Sequence, residues 1–192
     1  MPARTRKAAS PKTPAYTVPG IETTDAADEI TTLQDRLNAL SDLALTLKHV
    51  HWNVVGPHFI AVHEMLDPQV DAVRLMVDET AERISTLGGS PQGTPGALVA
   101  GRTWDDYSLG RADTQEHLGA LDVVYAGVIE SHREAIEKVG DVDPVTEDML
   151  IGQSTLLEKF QWFVRAHLEG AGGTLSTGSA TTEKSAARSA RS

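Results

Sequence analysis

Residues 51–82 read HWNVVGPHFIAVHEMLDPQVDAVRLMVDETAE. Two patterns are superimposed in this stretch. Apolar residues recur at steps of three and four, through Phe59, Val62, Leu66, Val70, Val73, Val77 and Ala81, and continue beyond it to Ile84 and Leu87. That spacing is one face of an amphipathic helix. It predicts a helix from about Pro57, which suits a first helical turn, to about Leu87, with Gly88 and Gly89 as its stop. Pro68 lies inside the pattern, but the periodicity carries on unshifted, so it is expected to remove one hydrogen bond without ending the helix. The second pattern is polar. His63, Asp67, Asp78 and Glu82 also stand at helical spacing, and His51 precedes them.

Upstream, Ile30, Leu33, Leu37, Leu40, Ala44 and Leu47 form a stripe that reaches position 51 and ends at Val54. A long helix is therefore expected from near Thr23 or Thr24 to Val54, broken by Gly56-Pro57. Its stripe carries His51 where an apolar residue would be usual. A lone histidine on such a face is more often a hydrogen-bonded core residue than a ligand, so His51 gains meaning only from its neighbours.

Downstream, residues 88–109 make a connection too long for a turn, with a short capped helical piece expected at Thr103–Tyr107. A third helix follows over about 110–138, with Leu118, Leu121, Val124 or Tyr125, Val128 and Ile136 inward and Gly140 at its end. Asp143-Pro144 is a cap and first-turn proline for a fourth helix, about 144–169, whose expected seam is Met149, Leu156, Phe160, Phe163 and His167. Nothing between these segments reads as a strand. Four helices of this length, each about 40 Å long, with the long link between the second and third, specify an all-α four-helix bundle carrying one crossover, the ferritin-like arrangement. The bundle is assigned to residues 21–170. Residues 1–20 and 171–192, rich in Pro, Ala, Ser, Thr and Gly, are expected to be disordered tails.

Composition bounds the function. The 192 residues contain no cysteine, which excludes disulfides and thiolate metal sites, and no apolar run approaches a membrane span. The basic N-terminal segment lacks the apolar core of a secretory signal, so a cytoplasmic location is expected. The net charge of −10 is segregated. Residues 1–15 carry Arg4, Arg6, Lys7 and Lys12 without an acid; residues 171–192 carry Lys184, Arg188 and Arg191 against Glu183. Closing the total then requires −16 on residues 16–170. Basic tails on an acidic body are either solubilising disorder or polyanion contacts, the body itself attracting cations.

At about 100° per residue, and with His63 taken as zero, Asp67 lies near 40°, Asp78 near 60° and Glu82 near 100°. All four project from one quadrant. Imidazole with carboxylates and no sulfur suits a hard-to-borderline cation. Yet Asp67 and Asp78 are about 16 Å apart along the axis, whereas metal–ligand bonds are about 2 Å long. Either the two pairs are unrelated, or a second copy of the helix, antiparallel across a two-fold axis, supplies the missing half and creates a second identical site. His51 would join the His63 end. Two blander readings compete: Asp78 and Glu82 as a solvated face, and HEMLD at 63–67 as an incomplete HExxH protease signature, with Asp67 where the second histidine should stand.

The chain resembles the Dps family, the DNA-binding proteins from starved cells, or miniferritins. The resemblance is carried by KHVHWNVVGPHFIAVHEMLD at 48–67, DETAER at 78–83, WDDY at 104–107 and LEKFQWFVRAHLE at 157–169, and covers roughly residues 25–170. It implies a hollow homododecamer with ferroxidase ligands at His51, His63, Asp67, Asp78 and Glu82, shared between two-fold related subunits. Trp52 would lie beside the site, where its indole could intercept radicals, and Lys48 would touch the ligand shell. The implied reaction oxidises Fe(II) with hydrogen peroxide and stores ferric mineral in the cavity, drawn in by acidic residues among which Asp122, Glu130, Glu134 and Glu137 are candidates. DNA binding does not transfer residue by residue. It rests on charge, through Arg4, Arg6, Lys7 and Lys12 first and Lys184, Arg188 and Arg191 second, and would be non-specific and salt-sensitive. A nucleoid-associated ferroxidase and iron store that protects DNA is thus expected. The alternative is a DNA-compacting protein whose metal site is structural or inactive.

Overall fold

The computed structural model describes residues 13–191. The basic cluster Arg4, Arg6, Lys7 and Lys12 lies outside them. Four long helices make the bundle: α1 (Thr23–Asn53), α2 (Phe59–Thr86), α4 (Thr114–Val139) and α5 (Pro144–Ala166), with a short α3 (Pro95–Gly101) in the crossover and α6 (Glu183–Ala190) near the C-terminal end. The α1 and α2 helices pair as one hairpin and α4 and α5 as another. The crossover runs the length of the bundle, because Val54 and Val55, just past α1, pair in parallel with Ala112 and Asp113, just before α4. This two-residue bridge is the strand content that periodicity could not reveal.

The sequence explains the boundaries. Asp113 caps α4 through a reciprocal box with Glu116, and Asp143 caps α5 ahead of Pro144. Gly88 closes α2 at φ +87°, and a side chain there would run into the Tyr16 carbonyl. Pro68 sits within an unbroken α2. The α1 stripe is buried from Leu33 through Val54, His51 included. One core cluster gathers Leu47, Leu66, Leu121, Tyr125, Leu157 and Val164 in the half of the bundle that holds His51. A second, around Leu33, Leu37, Ile84, Leu87 and Leu150, fills the other half. Fully burying each such leucine contributes about 2 kcal/mol.

Four expectations need correction. The short helix is α3, before the Trp-Asp-Asp-Tyr segment rather than within it. Residues 103–107 are held in non-helical form by side chains: Trp104 donates to Asp42 at 2.8 Å, Arg102 bridges Asp42 and Asp106, and the Tyr107 hydroxyl meets His117. The α5 seam is displaced: Leu150, Leu157, Val164 and Leu168 are buried, while Leu156 is 39 % exposed and His167 is exposed. Helical periodicity there admits two apolar stripes, and packing chose the other one. Residues 13–20 are not a free tail, for Pro14 is buried and Val18 joins the second core cluster.

The C-terminal segment is likewise ordered. Residues 168–176 fold back through Ser176 N–H to Leu168 and Gly170 N–H to Thr174. The α6 helix then lays Ala186, Ala187 and Ala190 on α4. Gly119 permits this approach, since a side chain there would collide with the Ala186 carbonyl. Three alanines spaced for one narrow face are too weak an apolar signal to predict docking, but a glycine opposite lets backbones meet closely.

At the far end of the bundle, Glu29 on α1 is buried, and neither carboxyl oxygen meets a hydrogen-bond donor. Burial and the adjacent Asp143 carboxylate push it up to about 7. Asp143 is held low despite its burial by hydrogen bonds from Thr146 and Arg83. The unfolded chain ionises at Glu29 from about pH 4.5 while the folded chain does not, so stability falls as pH rises until the folded group ionises near pH 7. Glu29→Gln is therefore expected to stabilise the protein by roughly 2 kcal/mol at pH 8 and to have little effect at pH 4. Urea titrations at both pH values and one protein concentration check this.

Candidate metal centre

The last turn of α1 and the second turn of α2 meet because Gly56, at φ +108°, lets the chain reverse between them. That reversal brings His51 and His63 face to face, their rings stacked 3.6 Å apart. His51 Nδ1 lies 3.0 Å from the His63 carbonyl, and His63 Nδ1 lies 2.9 Å from the His51 carbonyl. A carbonyl oxygen can only accept, so each Nδ1 carries a proton, and in the neutral imidazole the lone pair then lies on Nε2. Backbone thus selects Nε2 as the nitrogen of each ring that could bind a metal. Phe59 tilts against the His63 ring at 4.9 Å. Phe59, the first residue of the apolar stripe, stands one turn before His63 and so lies at this end as well.

Asp67, one turn beyond His63, completes this end. Its Oδ1 accepts from Lys48 Nζ at 3.0 Å and lies 3.3 Å from His51 Nδ1. The Lys48 hydrogen bond holds its carboxyl below the usual carboxylate range. Lys48 also lies over the Trp52 ring, 5.8 Å from its centroid, and Trp52 is 72 % exposed.

Asp78 and Glu82 are exposed on α2, and among the described residues their side chains have no hydrogen-bond or ion-pair partner. They do not reach the histidine end. Among the described residues no three His, Asp or Glu side chains gather closely enough to hold a metal ion. One chain thus presents His51 stacked on His63 with Asp67 against His51, short of a complete metal site, and Asp78 with Glu82 apart.

Lys184 and Arg188 are exposed on α6. Arg191 is engaged, 3.5 Å from Glu116 and 3.7 Å from Asp113. Asp122 is buried and takes hydrogen bonds from Gln161 and Arg165, whereas Glu130, Glu134 and Glu137 are exposed.

The ferritin-like domain profile matches residues 30–171. The DNA protection during starvation protein of Mycolicibacterium smegmatis is 59 % identical over 177 residues, covering 92 % of this chain and 97 % of that protein. The chain belongs to the Dps family. Among solved structures, DpsA14 from Streptomyces coelicolor superposes with a TM-score of 0.85 at 70 % identity, over 86 % of this chain and 98 % of that one. Mycobacterium smegmatis Dps superposes at 0.86 with 60 % identity, over 88 % and 97 % of the two chains. The all-α ferritin-like fold read from periodicity is therefore that of Dps proteins. No helix among the described residues is long and apolar enough to cross a membrane.

Because Lys48 is the first cause of the low Asp67 pKa, Lys48→Met is expected to raise it toward 3.8. Side-chain carboxyl NMR followed from pH 2 to 6 measures the change, and an unmoved midpoint would contradict the pairing.

Proposed function

We propose that this Dps protein is a ferroxidase and iron-storage cage that oxidises Fe(II) with hydrogen peroxide and protects DNA, its active centre assembled from two chains. The observation that carries this reading is the paired imidazoles, each with Nδ1 against the other residue's carbonyl so that Nε2 is the nitrogen left to bind, with the Asp67 carboxylate 3.3 Å from the His51 ring. Fe(II) is the substrate. Two neutral imidazoles and a few carboxylates bind it without saturating its coordination, which leaves room for peroxide and lets the product move on.

Two Fe(II) each give one electron to one hydrogen peroxide. Its O–O bond breaks, and two protons complete two waters. Passing both electrons to one peroxide avoids the hydroxyl radical that a single-electron reduction would release. Trp52 stands near Asp67 through Lys48 and would serve as a sacrificial donor for radicals that escape. The ferric product hydrolyses and is stored as mineral inside a homododecamer. Exposed Glu130, Glu134 and Glu137 add to the negative potential that concentrates Fe(II).

A shared centre makes a sharp prediction. Chains carrying His63→Ala with Asp67→Ala, and chains carrying Asp78→Ala with Glu82→Ala, should each lose the fast peroxide-driven absorbance of ferric iron. Mixed and reassembled together, they should recover about one quarter of the parent rate, because half of the random pairs are mixed and each mixed pair rebuilds one of its two sites. No recovery would place the ligands within single chains, or leave the alternative of a DNA-compacting protein with an inactive site.

DNA contact is proposed through the N-terminal cations and, on the described residues, through Lys184 and Arg188, which stand one turn apart on α6. The relatives' designation as DNA protection proteins and the charge segregation support it. Since α6 packs on α4, the test must spare its alanine face. Removing residues 1–12 and introducing Lys184→Glu and Arg188→Glu should abolish gel retardation of duplex DNA at low salt. Undiminished retardation would assign DNA contact elsewhere.

A further inference from the structure

If Asp78 and Glu82 complete the centre of a second chain, the two-fold axis is located by the sequence itself. The midpoint of His63 and Glu82 falls between Ala72 and Val73, and so does the midpoint of Asp67 and Asp78. An antiparallel α2 pair that joins both couples must therefore cross its axis at that level of the helix.

Asp71 and Arg74 share the same midpoint. On the wheel with His63 at zero they lie near 80° and 20°, symmetric about 50°, as are Asp67 with Asp78 and His63 with Glu82. All six residues thus occupy one face, about 100° wide, of α2. Both Asp71 and Arg74 are exposed, and among the described residues neither has an ion-pair or hydrogen-bond partner, although they stand three apart on one helix. They line one open groove with Leu75 and Asp78, and Leu75 is 65 % exposed. Unpaired opposite charges beside an exposed leucine, centred on an implied axis, are a surface built for its own copy.

We propose that Asp71 of each chain pairs with Arg74 of the partner subunit, and that these two ion pairs set the register of the α2 helices that align the metal half-sites. The register is selected as much by exclusion as by attraction. Realigning the pair so that each residue meets the one three positions further along its partner sets Arg74 against Arg74 of the partner subunit. The opposite realignment sets Asp71 against Asp71 of the partner subunit. Each also displaces the half-sites by about 4.5 Å, more than a metal–ligand bond can span. Like charges at a symmetric contact thus penalise the alignments that would disable the centre.

This rests on the shared-centre reading, and the test separates the two. Asp71→Arg chains and Arg74→Asp chains, with all ligands intact, each place like charges across the axis, and each should assemble only at about tenfold higher protein concentration than the parent by sedimentation velocity. Both positions are exposed, so far-UV circular dichroism should be unchanged. A mixture of the two variants restores opposite charges only between chains, never within one. It should assemble at parental concentrations, as particles that native mass spectrometry shows to contain both variants. An Asp71–Arg74 contact within one helix predicts no such rescue. Normal assembly of each variant alone, or a mixture no better than its components, would overturn the proposal. If the ligand-variant mixture described above still regains Fe(II) oxidation in that case, the shared centre stands without this register pair. If the charge variants rescue each other while the ligand mixture stays inactive, the pairing stands and the shared centre fails.

Discussion

A straight helix rises about 1.5 Å per residue and cannot fold back on itself. Much about this protein follows from that constraint acting on α2. The helix carries two pairs of potential ligands on one face, but too far apart for a single ion. At the His63 end, α1 supplies the missing partner through the tight reversal at Gly56, which stacks His51 on His63. At the Asp78 end nothing among the described residues does so. The bundle core exists to hold α1 against α2 in the register that makes the first of these meetings possible.

The histidine pair shows how strongly backbone can determine chemistry. Each imidazole spends Nδ1 on the other residue's carbonyl, so neither is free to choose its tautomer. Asp67 is then held as a carboxylate by Lys48, whose own position depends on α1. The hydrogen-bond arrangement at this end is therefore set by the fold itself. The same economy is absent from Glu29, where a buried carboxyl without a donor stays a neutral acid up to about pH 7, so stability is lost as the unfolded chain ionises there from about pH 4.5.

The C-terminal segment alters how the surface is understood. With α6 folded onto α4 and Glu183 accepting from the Ser108 backbone 2.6 Å away, the crossover and the end of the chain are tied together. Of the three cations there, Arg191 faces Asp113 and Glu116, so only Lys184 and Arg188 extend from a rigid helix without an acidic partner. Charge counted along the sequence treats them alike; the fold does not.

The amino-acid order by itself determined the four helices, their ends at Gly88, Gly140 and Asp143-Pro144, the single long crossover and the ligand types at positions 51, 63, 67, 78 and 82. Their legibility comes from helical periodicity, caps and residue chemistry being local, and from the stripe from Leu33 to Val54 admitting one inward face; at positions 51, 63, 67, 78 and 82 it extends to the side-chain types alone. Tertiary structure decided what depends on which surface is nearest. It chose Leu157 over Leu156 as the α5 seam, moved the crossover helix to Pro95–Gly101 by tying Trp104 and Arg102 to Asp42, ordered residues 13–20 and docked α6 on Gly119. It also fixed the tautomers of His51 and His63, since those depend on carbonyls twelve residues away that only the folded hairpin brings within reach.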